Sequence, residues 1–139
     1  MTGVQTCALP IWKAGHDVYD FKRPQPGDDG FHWSEIDGGW KDWTLAEYAK
    51  ALDHPIAARG FASDMGALAP ADLVVLVLPS GRSSSWEYGW WCGRYGRCGI
   101  VHSPEKVEPE LMYRGSVFTA TIEDLLKAVD DYSGVWQIP

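Results

Sequence analysis

Cysteine is scarce in this chain of 139 residues, with three in all. There is no Cys-x-x-Cys pair and no His at metal-ligand spacing, which argues against a zinc site or a disulfide scaffold. Cys92 and Cys98, six positions apart, read as buried or free thiols of a cytoplasmic protein. Positive charge is scarce too: 12 Lys and Arg stand against 19 Asp and Glu, for a net charge of −7. That balance argues against a surface for a nucleic-acid polymer, which usually carries a basic patch. A small anion is not excluded, because one Arg beside a helix N-terminus acts locally. Long apolar runs are absent. Leu73–Leu78 is far short of the about 20 residues needed to cross a bilayer, so no membrane span is expected. Tryptophan is abundant, with eight in the chain, mostly clustered at Trp33–Trp43 and Trp86–Trp91.

The first eleven residues, MTGVQTCALPI, stand apart. With GTG as start codon they back-translate to a common sequencing-library adapter, and Trp12 fits the junction. The other reading, a secretory leader, lacks a basic start and an apolar core. Residues 1–11 are therefore expected to be adapter-derived, and 12–139 to form a single domain truncated at its N-terminus.

Along the remainder, Trp12–Gly15 reads as the end of a helix stopped by Gly15, and His16–Phe21 as a short strand. Lys22–Trp43 is a long aromatic loop with Pro24 and Pro26, and long ordered loops are usually lids or binding loops. A helix over Thr44–Leu52 opens with the capping box Thr44-x-x-Glu47. Pro55 starts a short helix that Gly60 would end, and another helix covers Ala62–Leu68. Strand Leu73–Leu78, helix Trp86–Tyr95 closed by Gly96, strand Gly99–His102, a helical turn at Glu108–Tyr113, strand Ser116–Thr119 and helix Thr121–Asp131 follow. Strands alternating with helices predict an α/β fold, a doubly wound parallel sheet with helices on both faces. Because helix residues lead the chain, the N-terminal strand is expected to be missing. Loss of that central strand should leave edges unpaired and a core face open, so the chain is expected to fold poorly.

The stretch Ala71–Trp91, ADLVVLVLPSGRSSSWEYGWW, concentrates the chemistry. The Val-Val-Leu-Val run is typical of a strand buried on both faces. It stops at Pro79, and a loop of Ser80, Gly81, Arg82, Ser83, Ser84 and Ser85 leads into a helix opening at Trp86-Glu87. That order places free N–H groups and a positive dipole end at the carboxyl edge of the sheet, where α/β folds bind ligands. Arg82 suits a phosphate or carboxylate, and Glu87 is expected in the first helical turn. On residues alone, such a Glu is more often a complement to the helix dipole than a reactive group.

The pieces AGHDVYDF (14–21), GFHWSEID (30–37), HPIAARGFASDMGAL (54–68), ADLVVLVLPSGRSSSWEYGW (71–90) and EPELMY (108–113) resemble the nucleoside 2-deoxyribosyltransferase-like superfamily. That superfamily also holds nucleoside 5′-monophosphate N-glycosidases, and the match looks closest to its small bacterial and phage members. The resemblance implies a Rossmann- or flavodoxin-like domain and a Glu nucleophile attacking the anomeric carbon, the place of Glu87 here. Asp64 matches an acid near the departing base; its plainer reading is a helix N-terminal Asp. The Ser80–Ser85 loop with Arg82 resembles a 5′-phosphate-binding loop. Transferases acting on free nucleosides often carry an Asp six residues before the nucleophile. Gly81 stands there, which favours a phosphorylated or otherwise anionic substrate.

Phe31, Trp33 and Asp37, with Trp40 and Trp43, could cover a nucleobase or form a local mini-core. His32 could donate a proton or be a packed His, whereas His16, His54 and His102 are expected to have no catalytic part. The resemblance implies no metal and no organic cofactor. It implies a small-molecule nucleoside or nucleotide partner, and it admits a homo-oligomer. A non-catalytic nucleotide-binding or sensing module is the rival reading.

Overall fold

A computed structural model of the protein describes residues 3–21 and 26–132. Lys22–Gln25, the start of the predicted aromatic loop, lie outside the described residues. The chain gathers into two compact units, Met1–Val18 with Ala71–Pro139, and Tyr19–Pro70.

The first unit is a small, open α/β layer of Rossmann type. Helix α1 (Gly3–Lys13) leads, followed by β1 (Val75–Val77), α4 (Arg82–Tyr95), β2 (Ile100–His102), β3 (Val117–Thr119) and α5 (Ile122–Asp130). The three strands are parallel in the order β1-β2-β3. Val75 pairs with Ile100 and Ile100 with Val117, so Val77, His102 and Thr119 lie side by side at the carboxyl edge. Alternation along the strands sends side chains to two faces. Ile100, Val75, Val77 and Val117 meet Ile11 of α1 and Leu125 and Ala128 of α5. Leu76, Leu78 and Val101 meet Tyr88 of α4, and Val107 and Tyr113. Helices thus cover both faces, as the pattern predicted. From Gly3 onward the adapter-like stretch is helical here, and Ile11 is buried in the core with Leu125 and Ala128 of α5.

Helix ends follow their caps. Gly15 and Gly96 take φ of 96° and 61°, the left-handed region where glycine is unstrained. Thr121 accepts a hydrogen bond from the Asp124 N–H at the start of α5. Gly99 allows a close approach, since a Cβ there would lie 2.6 Å from the Tyr88 ring and 2.8 Å from the Val74 carbonyl oxygen.

His16–Phe21, expected as a strand, forms none. A strand exists only where a neighbour completes its ladder, and among the described residues the sheet consists of β1, β2 and β3. Val18 packs on the core without pairing.

The second unit holds two 3₁₀ turns, Trp33–Glu35 and Trp40–Asp42, then helices α2 (Leu45–Leu52) and α3 (Pro55–Leu68). The predicted capping box forms, with Glu47 N–H bonded to Thr44 Oγ1 and the Glu47 carboxylate accepting from the Thr44 N–H at 2.7 Å. The two short helices expected across Gly60 are one. Gly60 is interior, and Phe31 occupies the space its side chain would need, 2.9 Å from a Cβ built there.

Candidate functional site

The loop that leads out of β1 is shorter than its composition suggested. Helix α4 begins at Arg82 with Gly81 as N-cap, so only Ser80 and Gly81 remain of the expected loop, while Arg82, Ser83, Ser84 and Ser85 form the first turn. Serine suits a helix start because its short hydroxyl can bond nearby backbone. Ser85 Oγ donates to the Gly81 carbonyl at 3.1 Å and lies 3.2 Å from Ser80 Oγ. Gly81 has no side chain to cap with, so no side-chain hydrogen bond closes this N-terminus. Its first turn carries Arg82 and no acid. An anion there would meet free N–H groups, hydroxyls and one guanidinium.

Glu87, expected in the first turn, stands in the second turn of α4, partly exposed. The earlier helix start moves it one turn further from the dipole end, which weakens the reading of Glu87 as a mere dipole complement.

The carboxyl edge also receives the N-terminus of α5, two residues after β3, but that end is occupied. Thr121 caps it and Glu123 and Asp124 lie in its first turn. Of these two helix starts, α4 is the one suited to an anion. Between them His102 is fully buried, its Nδ1 2.8 Å from Thr119 Oγ1, while its Nε2 has no hydrogen-bond partner. Burial lowers its pKa, so the ring is neutral at pH 7.

In the second unit, Asp64 lies in the third turn of α3, not near a helix start, because Gly60 does not break the helix. It is half-buried and accepts a 3.1 Å hydrogen bond from the Tyr19 hydroxyl, which also lies 3.5 Å from Ser63 Oγ. Burial raises its pKa, and the Tyr19 bond pulls it back. A carboxyl so held keeps its proton to a higher pH than an ordinary Asp, as a proton donor requires. Asp64 and Glu87 belong to different units. Tyr19 was not legible as the partner of Asp64, since the contact spans 45 residues of sequence and Tyr19 lay in a segment read as strand.

The aromatic loop turns largely on itself. The Trp33 ring stands edge-on to Phe31, Trp43 and Tyr48 at centroid distances of 4.8, 5.8 and 5.7 Å. Phe31 packs over Gly60. Asp37 accepts from the Trp43 indole N–H at 2.7 Å and the Gly39 N–H at 2.9 Å, and these bonds hold its carboxyl below the ordinary range. His32 N–H donates to Glu35 at 2.7 Å, fastening the first 3₁₀ turn. Beside this cluster opens a cleft of about 410 Å³ lined by Trp33, Trp40, Trp43, Thr44, Leu45 and Tyr48.

Among the described residues no group of three His, Cys, Asp or Glu side chains could hold a metal ion, and no helix is long and apolar enough to cross a membrane. Cys92 and Cys98 are free and buried, and burial raises both thiol pKa values. Comparison with family models, curated proteins and solved structures finds no match to this chain.

Proposed function

We propose that the protein cleaves or transfers at the N-glycosidic bond of a nucleoside or, preferably, a nucleoside 5′-monophosphate. Glu87 attacks the anomeric carbon, the carbon–nitrogen bond breaks, and the base leaves with the electron pair. The departing base takes up a proton from water. Water, or a second base in transfer, then attacks the same carbon and releases the sugar from Glu87. The first turn of α4 holds the phosphate, with Arg82 as its cationic partner. No metal or organic cofactor enters this scheme.

The observation that carries the proposal is the α4 N-terminus itself: uncapped by any side chain, free of acid, and bearing Arg82 one turn before Glu87. Since Gly81–Ser85 would hold a phosphate whether or not Glu87 reacts, a nucleotide-binding or sensing module is the second reading. Base release from a panel of nucleosides and their 5′-monophosphates, followed by chromatography, separates the two. Release from monophosphates, with KM raised about tenfold in Arg82→Ala, is the expected result. A folded protein that binds nucleotides and releases no base from any of them is a binding module.

A further inference from the structure

The cleft in the Tyr19–Pro70 unit has walls suited to positive charge. Three indoles and a phenol are four of its six lining residues, and ring faces carry negative potential. Two carboxylates bond directly to wall residues without lining the cleft themselves: Asp37 accepts from Trp43 Nε1 at 2.7 Å, and Glu47 from Thr44 Oγ1 at 2.6 Å. Both are held below the usual carboxylate range by those bonds and the neighbouring backbone N–H groups, so both stay ionised at neutral pH. Donation from the Trp43 indole to a carboxylate also pushes electron density into its ring, making the face a better cation acceptor. The N-terminus of α2, which Thr44 and Leu45 bring to the cleft, offers an anion little, because the Glu47 carboxylate already occupies it. The six lining residues include no cationic side chain. A ring of this wall already receives an ammonium, with Lys41 Nζ 5.7 Å from the Trp40 centroid.

We infer that this cleft is a binding site for a small quaternary ammonium ion. Tetrahedral N-methyl cations spread their charge over methyl groups that touch several ring faces at once and need no hydrogen-bond acceptor. The edge-to-face contacts of Trp33 with Trp43 and Tyr48 hold two walls in place before a ligand arrives, which lowers the cost of ordering them. The inference concerns this unit alone and stands whether or not Glu87 is a nucleophile.

The test is calorimetric titration of the full-length protein with choline and, separately, with 3,3-dimethylbutan-1-ol, its uncharged isostere, at matched ionic strength. Choline is expected to bind at least about tenfold more tightly than the isostere, and Trp40→Leu to weaken choline binding about tenfold. Circular dichroism checks that the variant is folded. Equal affinity for the two ligands would overturn the inference and leave a merely apolar cleft. So would the absence of choline binding to the folded protein, or unchanged affinity in folded Trp40→Leu. If Trp40→Leu does not fold, the comparison of the two ligands on the unaltered protein decides alone.

Discussion

Two glycines on one helix offer a paired test of the packing in the second unit. Gly60 and Gly66 both lie inside α3, where alanine is the better helix former by roughly 0.5–1 kcal/mol. That gain is common to both sites and cancels when the two Ala variants are compared. The surroundings differ. A Cβ at Gly66 meets nothing within 4 Å, whereas at Gly60 it would lie 2.9, 3.0 and 3.1 Å from Phe31 Cβ, Cγ and Cδ2. Phe31 cannot yield cheaply, since the nearest atom is the one that joins its ring to the backbone and the ring itself abuts Trp33. Overpacking of this kind costs roughly 1–3 kcal/mol, so Gly66→Ala should exceed Gly60→Ala in stability by about that amount. In thermal denaturation followed by circular dichroism the gap corresponds to roughly 3–5 °C per kcal/mol. Urea titration gives the same difference with less dependence on reversibility. Equal stabilisation by both alanines would refute the argument, because Gly60 would then be an ordinary surface glycine and Phe31 would not rest on it.

Other outcomes follow from single contacts. Thr44→Ala removes the reciprocal cap of α2 and should cost about 1 kcal/mol in a urea titration, with Thr44→Ser restoring most of it. Asp64 has a raised pKa when folded, so it binds a proton more readily folded than unfolded. Its contribution to stability is therefore present at low pH and lost as pH rises through the raised value. Asp64→Asn should remove that slope from a plot of stability against pH, and an unchanged slope would assign it to another group. Asp37 and Glu47 act oppositely: their lowered values make stability fall as pH drops below the ordinary carboxylate range. Cys92 and Cys98, buried and shifted upward, should resist thiol reagents at pH 8 in the native protein and react on unfolding, as peptide mapping by mass spectrometry would read.

Features encoded within a few residues were legible. The strand in the apolar run Leu73–Leu78, the Thr44–Glu47 box, the Thr121 cap and the stops at Gly15 and Gly96 each depend on neighbours close in sequence, and each is found, the strand shortened to Val75–Val77. Features set by distant partners were not. Gly60 reads as a helix stop until Phe31 is seen against it. His16–Phe21 has strand composition, but among the described residues no neighbouring strand completes its ladder. The run of serines looks like loop, yet the same hydroxyls favour a helix start, and α4 begins at Arg82. For the candidate site this moves Glu87 from the first turn to the second and confines the loop to Ser80 and Gly81. The hold of Tyr19 on Asp64 left no local mark in the chain at all. The aromatic loop, read as either a cover or a mini-core, has Trp33 in edge contact with three other rings and an open cleft beside it.

Whether Glu87 forms a bond to the sugar is decided by a single comparison. Base release and nucleotide affinity are measured side by side for the unaltered protein and for Glu87→Ala, with folding of both checked by circular dichroism. If Glu87 is the nucleophile, release falls by at least about a thousandfold in the variant while affinity for the monophosphate stays within a few-fold. Undiminished release from Glu87→Ala would contradict that role, as would a folded, nucleotide-binding unaltered protein that releases no base.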